Sequence, residues 1–169
     1  MRSIFVHCLR FFFCEVNSQS RTHVSKCTRN YGELPLNVII ENCDQQPCKI
    51  RQNSTAKVHV EFIAPHYIQS MTTFATAYVT FFGFPKSIDL GDYKNTCNYL
   101  ENSQCPIYAG EFVHLNMGIH VEAGAPEGLT LPVELFMVDQ DNKPLGCIRV
   151  QIEIVKSNKE LKLSNINVF

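Results

Sequence analysis

The residues of this chain best suited to chemistry are its eight cysteines and six histidines. Thiols and imidazoles serve as nucleophiles and bases, as metal ligands, or as purely structural groups. A finger-type zinc site needs closely paired ligands, yet no two cysteines form a CxxC pair and no histidines flank them at finger spacing. His114 and His120 lie six residues apart; on one strand their rings would be about 20 Å apart, too far to share an ion. His59, His114 and His120 fall on polar faces of alternating segments, and His66 beside Pro65 reads as a loop residue. Asp139 and Asp141 read with Asn142 as a turn. The chain has no GxSxG elbow, HExxH, Walker loop or GxGxxG. Nothing sets a general acid and base around a substrate. The expectation is a protein that is not an enzyme and uses no metal and no cofactor.

The cysteines point to a compartment instead. Cys8 and Cys14 sit inside the apolar stretch Ile4 to Val16, which follows Arg2 and ends at Val16-Asn17-Ser18. This reads as a secretory signal, with cleavage expected after Ser18. Six cysteines then remain, an even number in a secreted context, which favours disulfides. Cys43 and Cys48 enclose only Asp44 to Pro47, and Cys97 and Cys105 enclose an Asn- and Ser-rich turn. Both are natural local staples, which would leave Cys27 to Cys147, but six cysteines allow 15 connectivities and spacing alone does not choose among them.

Around these groups the chain has 169 residues, 45% hydrophobic and 18% charged, with a formal net charge of −1. That is one domain's worth of chain with an ample core. The near-neutral balance excludes a basic nucleic-acid footprint, and the apolar content excludes disorder. No apolar stretch reaches the 18 or so residues that span a bilayer.

The elements that must position the cysteines are strands. Ala56, Val58, Val60 and Phe62 alternate with Lys57, His59 and Glu61; Val113, Leu115, Met117, Ile119 and Val121 do the same, as do Ile148, Val150, Ile152 and Ile154. Shorter strands are predicted at Leu36 to Glu41, Phe74 to Phe82 and Val133 to Val138, with turns at Gly83-Phe84-Pro85, Gly91-Asp92, Gly124-Ala125-Pro126 and Asp139 to Asn142. Six or more short strands, each with one apolar face, imply an all-β sandwich. Residues 1–18 are the expected signal, 19–156 the domain and 157–169 a tail. Phe81, Phe82, Phe84, Ile88 and Leu90 crowd one turn with apolar bulk; this is either a core closing over the sandwich end or the lip of an apolar cavity. Asn53-Ser54-Thr55 is a glycosylation sequon just before a strand.

Several segments together resemble the ML (lipid-recognition) domain family and, within it, the Niemann-Pick type C2 secreted sterol-binding proteins. They are Cys27, Glu41 to Cys48, Val58 to Phe62, Gly83 to Pro85, Cys97, Cys105 to Glu111 and Leu145 to Val150. The resemblance implies an immunoglobulin-like β-sandwich of two antiparallel sheets with an apolar pocket between them. It implies the pairings Cys27–Cys147, Cys43–Cys48 and Cys97–Cys105. It places lipid-binding positions at Phe62, Ile88, Ile119, Val121, Ala125, Pro126, Leu135 and Ile148. Ala125, Leu135 and Ile148 stand where sterol binders carry large rings, and the chain has no Trp, so the pocket is expected to be wider and less flat.

The function so implied is a secreted monomeric carrier, extracellular or in the endosome-lysosome lumen. It would hold a sterol, fatty acid or related apolar lipid and deliver it to a membrane or receptor, with Asn53 glycosylated and no nucleic acid bound. Alternatives are an innate-immune accessory protein that captures microbial glycolipid, a carrier of semiochemicals, or a packed sandwich without ligand. The glycolipid reading calls for a basic rim, and the expected mouth offers Lys86 and little else.

Overall fold

The structure is a computed structural model that describes residues 21–79 and 84–157. The expected signal 1–18, Phe81, Phe82 and most of the expected tail lie outside the described residues. Eight strands follow in order: β1 (Asn37–Ile40), β2 (Cys48–Arg51), β3 (Ser54–Ile63), β4 (Met71–Tyr78), β5 (Pro85–Ile88), β6 (Phe112–Val121), β7 (Thr130–Asp139) and β8 (Pro144–Val155). Two 3-10 turns, Gly91–Lys94 and Thr96–Tyr99, stand between β5 and β6. The described residues contain no α-helix.

The strands form two sheets, β1-β3-β6 and β2-β8-β7-β4-β5. Period-two patterning drives the pairing, since only one register puts both apolar faces on the same side. In β3 and β6, Val58 faces Met117, Val60 faces Leu115 and Phe62 faces Val113. In β7 and β8, Leu135 faces Ile148 and Val133 faces Val150. The inner faces of the two sheets meet to form the core, which makes an all-β sandwich. All pairings are antiparallel except one: β2 runs parallel to β8, with Cys48 beside Ile152 and Ile50 beside Ile154.

β2 and β5 were not among the predicted strands. Each has only four residues and sits at a sheet edge. β5 opens on Pro85 and lies mostly exposed, so it carries no alternation to read. Of the expected turn Gly83-Phe84-Pro85, Gly83 lies outside the described residues, Phe84 precedes the strand and Pro85 opens it.

Of the fifteen pairings open to six cysteines, the structure has Cys27–Cys147, Cys43–Cys48 and Cys97–Cys105. The first spans 120 residues and ties the N-terminal segment to β8. The second joins the end of the β1 connection to the start of β2, and so links the two sheets along one edge.

One end of the sandwich is packed shut. Ile68 and Ile107 are fully buried there and exchange backbone hydrogen bonds of 2.9 and 2.8 Å. Met71, Val113 and Leu115 complete the seal. His66, read as a simple loop residue, pairs at this end with the buried carboxylate of Asp139 at 2.7 Å. Asp139 also accepts the backbone N–H groups of Asp141 and Lys143, both at 2.8 Å. Burial would raise its pKa, but the bonds from Lys143, His66 and Asp141 outweigh that and hold it below the usual carboxylate value.

Candidate functional site: an aliphatic cavity between the sheets

The other end is not filled. A cavity of about 690 Å³ lies between the sheets, within the range of small-molecule sites. Ile40, Ala56, Val58, Ile119 and Val121 wall it from the three-stranded sheet. Ile50, Ala77, Ile88, Leu131, Val133, Leu135, Ile148, Val150, Ile152 and Ile154 wall it from the other. These are the inward positions of their strands, so the alternation that builds the core also builds the cavity. The core is closed where bulky Met and Phe side chains meet, and it opens where Ala56 and Ala77 face inward.

No aromatic side chain lines the cavity among the described residues, and each charged lining residue is exposed. Lys86 and Asp89 stand at the rim on one side, His120 and Glu122 on the other. Gly124, Ala125 and Pro126 form the turn that crosses the mouth. Gln52 secures this turn, its side-chain amide donating to the Ala125 carbonyl at 2.7 Å. An interior this apolar offers water no hydrogen-bond partners and is suited to a dry, apolar occupant. Among the described lining residues, the ionisable groups are confined to the exposed rim.

Seven of the eight positions expected to line a pocket lie in this wall: Ile88, Ile119, Val121, Ala125, Pro126, Leu135 and Ile148. Phe62 does not. It is buried on the inner face of β3 opposite Val113, four residues beyond Val58, and so belongs to the packed end. Correct inward phase was necessary but did not fix the depth along the strand. Sequence reading missed Ile40, Ile50, Ala77, Val133, Val150 and Ile154. Most share the phase of recognised strands; Ile50 sits on the short β2, which gave no signal. Of the polar-face histidines, His59 and His114 are half-buried beside Glu41 and Glu61 at 3.4 and 3.7 Å, whereas His120 joins the cavity rim.

The back of the cavity wall is held by a buried charge. Glu134 lies between Val133 and Leu135 on β7 and therefore points away from the cavity. Its carboxylate is fully buried, because residues 28–30 cross over it. It accepts the Thr28 N–H at 2.7 Å and hydroxyl at 3.0 Å, and the Asn30 N–H at 3.1 Å and side-chain amide at 3.0 Å. The Tyr78 hydroxyl donates at 3.1 Å and Arg149 at 2.9 Å. Burial disfavours the anion, but these donors outweigh it and lower the pKa to about 2. Burial and the bond to Glu134 in turn raise the pKa of Tyr78.

The comparisons with known proteins agree with this architecture. The ML domain model matches residues 21–154. Among solved structures, a Niemann-Pick type C2 protein from Japanese carpenter ant matches with a TM-score of 0.64 at 17% identity, over 78% of this chain and 98% of that one. Chicken MD-1 complexed with lipid IVa matches with a TM-score of 0.43 at 12% identity, over 66% of this chain and 75% of that one. None of the curated proteins matches the sequence. The family match spans nearly all of the described residues, and this chain belongs to the ML domain family, whose fold binds lipid rather than catalysing a reaction.

Proposed function

We propose that the protein is a secreted, monomeric lipid carrier that holds one sterol or fatty acid in the cavity and delivers it to a membrane or receptor. The observation that carries this reading is a 690 Å³ space walled by aliphatic side chains, with every charge left at the rim. Seven of the positions named from sequence, Ile88, Ile119, Val121, Ala125, Pro126, Leu135 and Ile148, are its proposed contact set, and Phe62 supports them from the closed end. Three disulfides support an oxidising destination, extracellular or endosome-lysosomal.

The energetics suit a carrier. A lipid burying about 400 Å² of apolar surface gains roughly 10–13 kcal/mol at 25–33 cal/mol per Å². After an association cost of about 4 kcal/mol, roughly 6–9 kcal/mol is left, between tens of micromolar and sub-micromolar dissociation constants. Such binding permits both pick-up and release. Among the described residues the wall carries no Phe, Tyr or Trp ring, which favours a flexible acyl chain over a fused ring system that gains most against flat partners. Lys86 is the one Lys or Arg among the described lining residues and shares the rim with Asp89 and Glu122, a poor match to the phosphates of a glycolipid.

The test is native mass spectrometry of the purified secreted protein, followed by organic extraction. One sterol or fatty acid per chain is the expected result. A bare protein that also takes up no fluorescent sterol or fatty acid would refute the carrier reading.

A further inference from the structure

The sequon Asn53-Ser54-Thr55 has no part in the cavity wall, yet it lies at the cavity mouth. Asn53 occupies the tight turn from β2 to β3 with φ of 52°, a left-handed conformation that asparagine adopts more readily than most residues. Asn53 and Thr55 are both exposed. The residue before Asn53, Gln52, holds the Ala125 carbonyl at 2.7 Å. The residue after it, Ser54, pairs with Val121. Ala125 and Val121 both line the cavity, so the turn carrying Asn53 is part of the structure that frames the opening.

We infer that Asn53 carries an N-linked glycan that stands beside the mouth and slows the exchange of bound lipid with membranes. The rate effect rests on the carrier reading above; the modification itself does not. In the transfer, Asn53 Nδ2 bonds to the anomeric carbon of a lipid-linked oligosaccharide, the sugar–pyrophosphate bond breaks, polyprenyl pyrophosphate leaves and the amide loses one proton. Nothing is oxidised or reduced. The three disulfides place folding in the oxidising compartment where this modification occurs. A bulky hydrated chain on the β2–β3 turn keeps that side of the rim from lying flat on a bilayer. It leaves uncovered the opposite lip, where Phe84 is 80% exposed beside Pro85 and Lys86. Because the glycan lies outside the cavity, it slows loading and unloading alike and leaves affinity unchanged.

The experiment uses the full chain behind a host secretion leader, expressed in glycosylating cells. The sequence holds no other N-x-S/T motif, so intact mass reads this one site. Peptide N-glycosidase should remove one glycan from wild type and from Thr55→Ser, and none from Asn53→Asp or Thr55→Ala. Asp is chosen because it tolerates the left-handed turn. Transfer of a bound fluorescent fatty acid to phosphatidylcholine vesicles should be at least threefold faster for deglycosylated wild type, Asn53→Asp and Thr55→Ala, at unchanged dissociation constant. Secreted wild type without a glycan overturns the inference at its root. A glycan whose removal leaves transfer unchanged overturns its role at the rim. Fatty acid that binds neither form overturns the carrier reading and with it the rate effect, while the mass measurement still decides the modification.

Discussion

Thr28 and Glu134 stand 106 residues apart and meet twice, through the backbone N–H and the hydroxyl of Thr28. The contact lies directly behind Val133 and Leu135, which wall the cavity. The N-terminal segment is therefore the cover that turns an outward carboxylate into a buried one. Cys27, disulfide-bonded to Cys147, pins that cover beside the contact.

Replacing Glu134 by Ala leaves Arg149, Tyr78, Thr28 and Asn30 with unpaired donors. A broken buried ion pair costs roughly 3–5 kcal/mol. Urea denaturation should show an unfolding free energy lower by that amount, seen as a lower midpoint at an unchanged slope. A loss below 1 kcal/mol would mean that the N-terminal segment does not rest on this carboxylate.

Acid should weaken the fold through the same group. The pKa of Glu134 is about 2 in the folded protein, against an ordinary value of 4.5. Above pH 4.5 both states are ionised and the contribution is fully present. As pH falls from 4.5 towards 2, the unfolded chain takes up a proton that the folded chain refuses, and stability drops by on the order of 3 kcal/mol. Asp139, also lowered, acts in the same direction. Unfolding free energies at pH 7, 4.5 and 3 should trace this fall, and the fall should be shallower in Glu134→Gln.

Val121→Trp puts an indole into the cavity near its mouth. Binding of a fluorescent fatty acid should fall at least tenfold while circular dichroism and melting stay close to wild type. One-to-one binding retained by the folded variant would mean that lipid sits elsewhere.

The disulfides should rank by loop length. In the chain-entropy model the Cys27–Cys147 loop is worth about 5 kcal/mol and the Cys43–Cys48 loop about 2 kcal/mol. Cys147→Ser should therefore abolish or sharply reduce secreted yield, and Cys43→Ser should reduce it less. Equal yields would contradict that ordering.

Much of this was legible in the sequence because strand phase is a local property. The alternation from Ala56 to Phe62 and from Val113 to Val121 fixed which side chains face inward, and these later proved to be core or cavity wall. Depth was not legible: Phe62 and Val58 share a phase, but only Val58 reaches the cavity. Whether a strand pair is filled or hollow depends on what faces it from the other sheet. Glu134 was invisible for a related reason, since a carboxylate between Val133 and Leu135 looks solvent-facing until residues 28–30 are known to cover it. β2 pairs parallel to a strand about 100 residues later, and four residues hold too little pattern to announce that.

The Cys43–Cys48 bond gives the sandwich a spine. Ile40 and Ile50 line the cavity on either side of it, so along that edge the covers of the book cannot part by more than the short covalent link permits. At the opposite, fore-edge side, β5 and β6 carry Ile88 and Ile119 and have no strand-to-strand link of this kind. The sandwich is thus bound covalently along one long edge of the cavity and not along the other.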